Sequence, residues 1–339
     1  MKYIPLKRHI KARLSQLKFA LGLNPSVERV EDPAQFVPQG YRGVVTVTAD
    51  FELAWAPRYD NSVDDPYAYA LGKARQERQN IPGLLSVCEQ YQIPITWATV
   101  GHLFLASCQS AGGLKHPEIP AVEAYEGPYW DFNGKDWFEH DPCTRLEEAP
   151  EWYAPDLIDQ IIGARTAHEI GCHTFSHIDC RDEVCPPALF ESELALCKQL
   201  AEERSLQLVS FVHPGHTIGN LDTLSRMGFT SFQSDPGNVL GYPCQHDNGL
   251  WELKRTMEFT YRPDWTIDYH IQRYCTIVDR AIQKQAVCNF WFHPSCPAVV
   301  VEEILPGLFS HISERRSEVW VGTVQEYVGW LNRNPKQRK

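Results

Sequence analysis

Two histidines separated by three residues, His173 and His177, close the run HEIGCHTFSH at 168–177. Imidazoles four positions apart can face one point, from one face of a helix or from a tight loop at a strand end. Imidazole is also the commonest protein ligand for a first-row metal near neutral pH. The spacing alone is weak, because 13 His in 339 residues supply roughly half such a pair by chance. Its company adds weight. Asp50 and Glu52 end one apolar, β-like run, and His293-Pro294 ends another. Two neutral imidazoles and a carboxylate make a three-ligand set with a position open for water, suited to Zn²⁺ or another divalent ion. Such an ion lowers the pKa of water toward about 7 and polarises a carbonyl. Amide hydrolysis further needs a base for the water's proton and an acid for the leaving amine, each worth about 10²–10⁴ in rate. Asp50 and Glu52 lie two apart on extended chain, so their side chains leave on the same side. One can bind metal and the other serve as base, and His293 is placed to be the acid.

Residues so far apart in the chain need a scaffold that gathers strand ends. The β-branched run 43–48 reads as a buried strand that delivers Asp50 and Glu52. A helix is expected from about Asp65 to Glu89, a strand over 94–100, a helix over 156–167 and a short strand over 168–172. Then come a helix over 188–203, a strand over 206–213, a helix over 221–227, a strand over 229–233, a helix over 264–285 and a strand over 287–292. A further helix, a short strand at 319–321 and a helix from Thr323 close the chain. Repeated strand-then-helix units mean a parallel sheet, and a closed or nearly closed barrel suits this length. Asp50, Glu52, His173, His177, Gly215, Asp235 and His293 all fall at the C-terminal ends of expected strands, the rim where such barrels build active sites. Residues 110–152 have no clear period and read as a long functional insertion. Its aromatic residues Tyr129, Trp130 and Trp137, with Trp152 and Tyr153 at its end, either stack against sugar rings or pin the loop to the body.

Apolar residues at 43% and charged residues at 22% are ordinary for a globular protein, and the net charge of −11 excludes a non-specific grip on nucleic acid. Residues 1–23 stand apart, with Lys2, Lys7, Arg8, Lys11, Arg13 and Lys18 and no acid. On a helix Ile10, Leu14, Leu17 and Leu21 form one stripe bordered by lysines. That is the pattern of a basic amphipathic helix on an anionic membrane, or of a surface helix docked on its own domain. Gln16 and Lys18 interrupt the apolar run and no small-x-small cleavage site follows, so it does not read as a signal peptide. Eleven scattered Cys without any CxxC read as reduced thiols, and the expected location is cytoplasmic.

The motifs TADFE at 48–52, HTFSH at 173–177, FVHPG at 211–215 and WFHP at 291–294 occur in the order found in polysaccharide deacetylases of the NodB-homology type. Over about residues 43–330 the chain resembles that family, most of all the branch whose first motif is Asp-x-acid and whose members occur among glycan-biosynthesis enzymes. The resemblance implies an α/β distorted barrel with fewer than eight β/α units, and a divalent metal, commonly zinc. It also implies metal-dependent removal of an acetyl group from an N-acetylated sugar. Carried over by position, it makes Asp50 the base, Glu52 with His173 and His177 the metal ligands, His293 the acid, and the backbone N–H of Gly215 the oxyanion donor. Two departures stand out. The metal carboxylate is Glu where the family usually has Asp. The third motif, Val212 to Gly215, lacks the arginine that usually holds the base, leaving His213 or His216 to take that place or the base to be oriented differently. The domain organisation expected is a basic helix at 1–23, a linker at 24–42, and a barrel at 43–335 that carries the insertion 110–152.

Three rivals stay in view. Cys172, Cys180 and Cys185 flank the His pair, but their spacing matches no closed zinc module and leaves Asp50, Glu52 and His293 unexplained. A Ser or Cys nucleophile has little support, since no Gly-x-Ser-x-Gly elbow occurs. A sugar-binding protein without turnover is the third. Within hydrolases the alternative is a deformylase or an enzyme acting on another linear or cyclic amide. The substrate expected is an N-acylated amino sugar, with a lipid-linked or nucleotide-linked glycan better suited to a cytoplasmic chain than a finished wall polymer.

Overall fold

The computed structural model describes Leu17, Phe19 and residues 24–126, 130–132, 134 and 136–334. Most of the basic segment 1–23, on which the membrane expectation rests, and Tyr129 lie outside the described residues. No helix among the described residues is long and apolar enough to cross a membrane.

The main sheet holds ten strands: β1 Gly43–Phe51, β2 Thr96–Thr99, β3 Glu169–Cys172, β4 Ser210–Val212, β5 Ser231–Ser234, β6 Cys244–Gln245, β7 Trp251–Lys254, β8 Met257–Glu258, β9 Val287–Phe292 and β10 Val319–Val321. Their order is β6-β7-β5-β4-β3-β2-β1-β9-β8, with β10 beside the first residues of β1. Every pairing is parallel except β6 with β7. Gln233 of β5 donates through Nε2 to Thr48 Oγ1 of β1 at 2.7 Å. Those strands are four steps apart in the sheet, and a flat sheet would hold them about 19 Å apart. The sheet therefore curls into an incomplete barrel, open between β6 and β8. This is the expected α/β distorted barrel.

All nine residues of β1 are buried, and the two-residue period sorts them. Val45, Val47, Ala49 and Phe51 join the apolar layer under the helices. Thr46, Thr48 and Asp50 point the other way, into the barrel, where Asn289 Oδ1 of β9 accepts from both threonine hydroxyls at 3.1 and 3.4 Å. The polar lumen leads up to the strand end that carries Asp50 and Glu52.

Helix α1, Pro66–Tyr91, starts where Asp65 caps it, its side chain accepting from Ala68 N at 2.9 Å, with proline in the first turn. Ala70, Ala74, Glu77, Ile81, Leu84 and Cys88 form its buried stripe at alternating four- and three-residue spacing. Helix α2, Pro155–Ile162, stops five residues short of expectation because Gly163 caps it, its N–H bonded to Asp159 O. Helices α3 Pro187–Glu202, α4 Leu221–Arg226, α5 Ile267–Lys284, α6 Leu305–Glu314 and α7 Val324–Arg333 follow. The strands β7 and β8 were not expected. WELK alternates apolar and charged residues over only four positions, too short to stand out from a loop.

Candidate active site

Asp50 and Glu52 leave the end of β1 on one side, and both are buried. Past the end of β3, residues 173–177 form a tight loop instead of a helix turn. Thr174 and His177 both take left-handed backbone, φ 58° each, a conformation that side chains other than glycine adopt only when their surroundings hold them there. What holds them is polar. Glu193 of α3 accepts from Phe175 N at 2.7 Å, Ser176 N at 2.8 Å and Ser176 Oγ at 2.6 Å. Buried Arg58 donates to Ser176 O at 2.8 Å and to Trp55 O, and Trp137 Nε1 donates to Ser176 Oγ at 3.0 Å.

The loop turns both imidazoles onto Glu52. Its Oε1 lies 3.0 Å from His173 Nε2 and 3.2 Å from His177 Nε2. His173 Nδ1 donates to the Val212 carbonyl at 2.8 Å, which fixes the ring with Nε2 turned toward Glu52. Burial pushes His177 down to about 4, so its ring is neutral at physiological pH. Burial opposes ionisation of Glu52 too, but His293 and His177 hold its carboxyl well below the ordinary range. The Nε2 atoms of both imidazoles and an ionised carboxylate oxygen thus converge on one point. The three side chains fit a divalent ion by their chemistry, with one donor atom from each within 4.8 Å of the others.

Asp50 is clamped from the end of β7. Arg255, the residue after β7, donates through Nη2 to Asp50 Oδ1 at 2.6 Å and through Nε to Gln233 Oε1 at 2.9 Å. Its guanidinium lies 4.2 Å from the centre of the Trp291 ring. Burial raises the Asp50 carboxyl, yet Arg255 and His173 bring it below its ordinary value. Neither His213 nor His216 does this work. His213 Nε2 faces the Gly219 carbonyl at 3.1 Å, and the half-exposed His216 packs on Trp291 and stands 4.0 Å from Asp235. A strand end bearing an arginine beside the lumen was the signal available in the sequence, once β7 is recognised.

His293 follows β9, with Nε2 3.8 Å from Glu52 Oε2 and Nδ1 3.5 Å from Glu258 Oε1. Burial works against its charge, but Glu52, Glu258 and Asp50 push it up to about 9. Asp235, another of the strand-end residues, accepts from Gly237 N at 2.9 Å in its own turn. Glu258, at the end of β8, is the carboxylate that faces the ring.

Two buried polar residues of α1 brace both loops. Glu77 accepts from Glu52 N at 3.1 Å, its own carboxyl pushed up to about 8 by burial and by the charge of Glu52. Asn80 Nδ2 donates to Pro294 O at 2.7 Å and Cys296 O at 2.8 Å, fixing the turn after His293.

A cavity of about 510 Å³ opens beside these groups, walled by Glu52, His177, Gly215, Glu258, His293 and Trp130. Gly215 has φ +54°, and a Cβ there would come within 2.9 Å of the Trp130 ring, so glycine is what lets the wall close. Trp130 also packs edge-on to His177, with ring centres 5.1 Å apart. Among the aromatic residues proposed for sugar stacking, it is the one lining this cavity in the described part of the chain. Trp137, Trp152 and Tyr153 are buried and serve to pin the insertion to the body. Cys172, Cys180 and Cys185 enter no metal-capable cluster among the described residues, and all eleven cysteines are free thiols.

No family model and no curated protein sequence matches this chain. Solved structures do match. A Pseudomonas aeruginosa PAO1 protein described as a "probable polysaccharide deacetylase" superposes with a TM-score of 0.61 at 11% identity, over 91% of this chain and 96% of that one. The fold is that of the polysaccharide deacetylases. A Mycobacterium smegmatis protein described in similar terms gives 0.56 at 13% identity, over 91% and 94%. The PuuE allantoinase gives 0.61 at 11% identity, over 91% and 96%. What is shared at such identities is the backbone of the deacetylase fold, and the chemistry has to be argued from the residues above.

Proposed function

We propose that this chain is a metal-dependent amide hydrolase that removes an N-acyl group, in the first instance N-acetyl, from an amino sugar or glycan precursor. The observation that carries this reading is the meeting of three separate strand ends. Glu52, His173 and His177 converge on one point, with Arg255-clamped Asp50 and His293 beside it at a cavity wall. A divalent ion held by Glu52, His173 and His177, zinc by the donor set, would polarise the amide carbonyl and acidify a water.

Asp50 accepts the proton of the attacking water, because Arg255 keeps it ionised and aimed. His293 delivers a proton to the amine nitrogen as the C–N bond breaks, so that carboxylate and free amine leave. The Gly215 N–H stabilises the oxygen that gains charge at the former carbonyl. Trp130 gives the cavity an apolar wall against which a sugar ring can lie.

The test is a screen of the purified, zinc-loaded chain for acetate and formate release over N-acylated sugars. Acid release that stops on chelation and returns with zinc is the expected result. No acid release from any of them, with sugar affinity retained, would point to a binding protein instead. The allantoinase among the fold neighbours favours one second reading, hydrolysis of a cyclic amide, which would appear as ring opening without release of a small acid. The basic residues 1–23 favour a lipid-linked glycan met at an anionic membrane surface over a nucleotide-linked one, in the cytoplasm. That preference fails if a chain lacking them binds anionic vesicles as well as the full chain does.

A further inference from the structure

A second group of potential ligands lies outside this site, where the insertion meets the barrel. His102 sits in the turn Gly101–Phe104 after β2, and Cys108, His116 and Asp141 come from the segment that follows. Asp141 Oδ2 is 2.7 Å from His116 Nε2, 3.2 Å from His102 Nε2 and 3.4 Å from Cys108 Sγ. One donor atom from each of the four residues lies within 4.8 Å of the other three. Asp141 Oδ1 is engaged by Cys143 N at 2.9 Å and the Tyr153 hydroxyl at 3.2 Å, so the carboxylate is anchored on one oxygen and presents the other.

His102 is the decisive member. Its ring is wholly buried, and Nδ1 lies 3.1 Å from the Trp152 carbonyl, an acceptor that assigns the ring proton to Nδ1. Burial disfavours a second proton on the ring. Nε2 therefore points a lone pair at the Asp141 oxygen, and it has no hydrogen-bond partner among the described residues. A buried acceptor aimed at a buried carboxylate is unfavourable unless a cation sits between them. No Lys or Arg of the described residues pairs with that carboxylate. The nearby Lys115 ammonium donates instead to the carbonyls of Phe138, Glu139 and Asp141 at 3.1, 3.0 and 2.6 Å.

We propose that His102, Cys108, His116 and Asp141 form a second, structural metal site that takes zinc or another thiophilic divalent ion. Two imidazoles, a thiolate and a carboxylate close a four-ligand tetrahedral shell, and a divalent ion with two anionic ligands is neutral, as a buried site requires. Binding displaces the Cys108 proton to solvent. The ion fastens the insertion to the barrel turn, and the insertion is the segment that brings Trp130 over His177 and Gly215. The assignment stands apart from the proposed hydrolase activity.

Cobalt(II) loading of the full chain tests it, because the set Glu52, His173 and His177 has no sulfur. The expected result is two equivalents of cobalt per chain and a thiolate-to-cobalt charge-transfer band in the near ultraviolet. Cys108→Ser should abolish the band. A His173→Ala, His177→Ala chain should keep the band with one equivalent bound, a result that needs no folding of the Cys108 variant. A fully loaded wild-type chain with no sulfur band, or a band that survives Cys108→Ser, overturns the proposal.

Discussion

Asp50→Asn is expected to lower kcat/KM for amide hydrolysis by about 10²–10⁴ while the bound metal stays in place. Asparagine keeps the shape and one oxygen for Arg255 to donate to, but it cannot take a proton from water. Glu52, His173 and His177 are untouched, so metal content separates loss of the base from loss of the ion. The measurement is steady-state kinetics with elemental analysis on the same preparation. Turnover within a few-fold of the parent would remove Asp50 from the mechanism. A sugar-binding protein would show unchanged affinity in this variant, and the hydrolase would keep affinity but lose turnover.

Arg255→Met should be the more damaging change to the fold. Arg255 and Asp50 are both buried and 2.6 Å apart. Removing one partner leaves the other charge uncompensated in the interior, a loss of about 3–5 kcal/mol. The sign of the pH effect follows from the pair. Arg255 lowers the Asp50 carboxyl below its ordinary value of 3.8, so its contribution to stability is complete above that value. The contribution is lost as pH falls through the lower, folded-state value. Without the guanidinium, burial acts unopposed by its strongest partner and raises the carboxyl. The acid limb of the kcat/KM profile should then move to higher pH, with stability down throughout the neutral range. Denaturant unfolding and a pH–rate profile check both. The double variant Asp50→Asn, Arg255→Met removes the unpaired charge, and it should recover part of the stability and none of the turnover. Full activity in the double variant would mean that the pair is structural.

The pairing of these two residues is not legible in the sequence. The elements that bear the motifs were legible because each is signalled locally. The β-branched run into Asp50 is long enough to show its period, and β9 was read at its observed bounds, Val287–Phe292. The histidine spacing of 173 and 177 reflects one short loop. Arg255 lies 205 residues from Asp50 and follows a four-residue strand of mixed polarity. No local pattern couples the two, and the usual position of such an arginine, in the motif 212–215, is occupied by other residues. The glutamate facing His293 was missed for the same reason, since Glu258 ends a strand of two residues.

By itself the sequence determined which side chains stand at strand ends, because the period of two and the flanking turns are properties of neighbouring residues. Only the tertiary structure decided which ends meet. Curling the sheet brings β5 and the end of β7 against β1, and that choice of partner for Asp50 depends on closure of the barrel as a whole. The grouping of His102, Cys108, His116 and Asp141 was equally hidden. His102 sits in the turn after β2 and the other three lie along the aperiodic chain that follows, where spacing carries no information about distance until that chain is folded against the body.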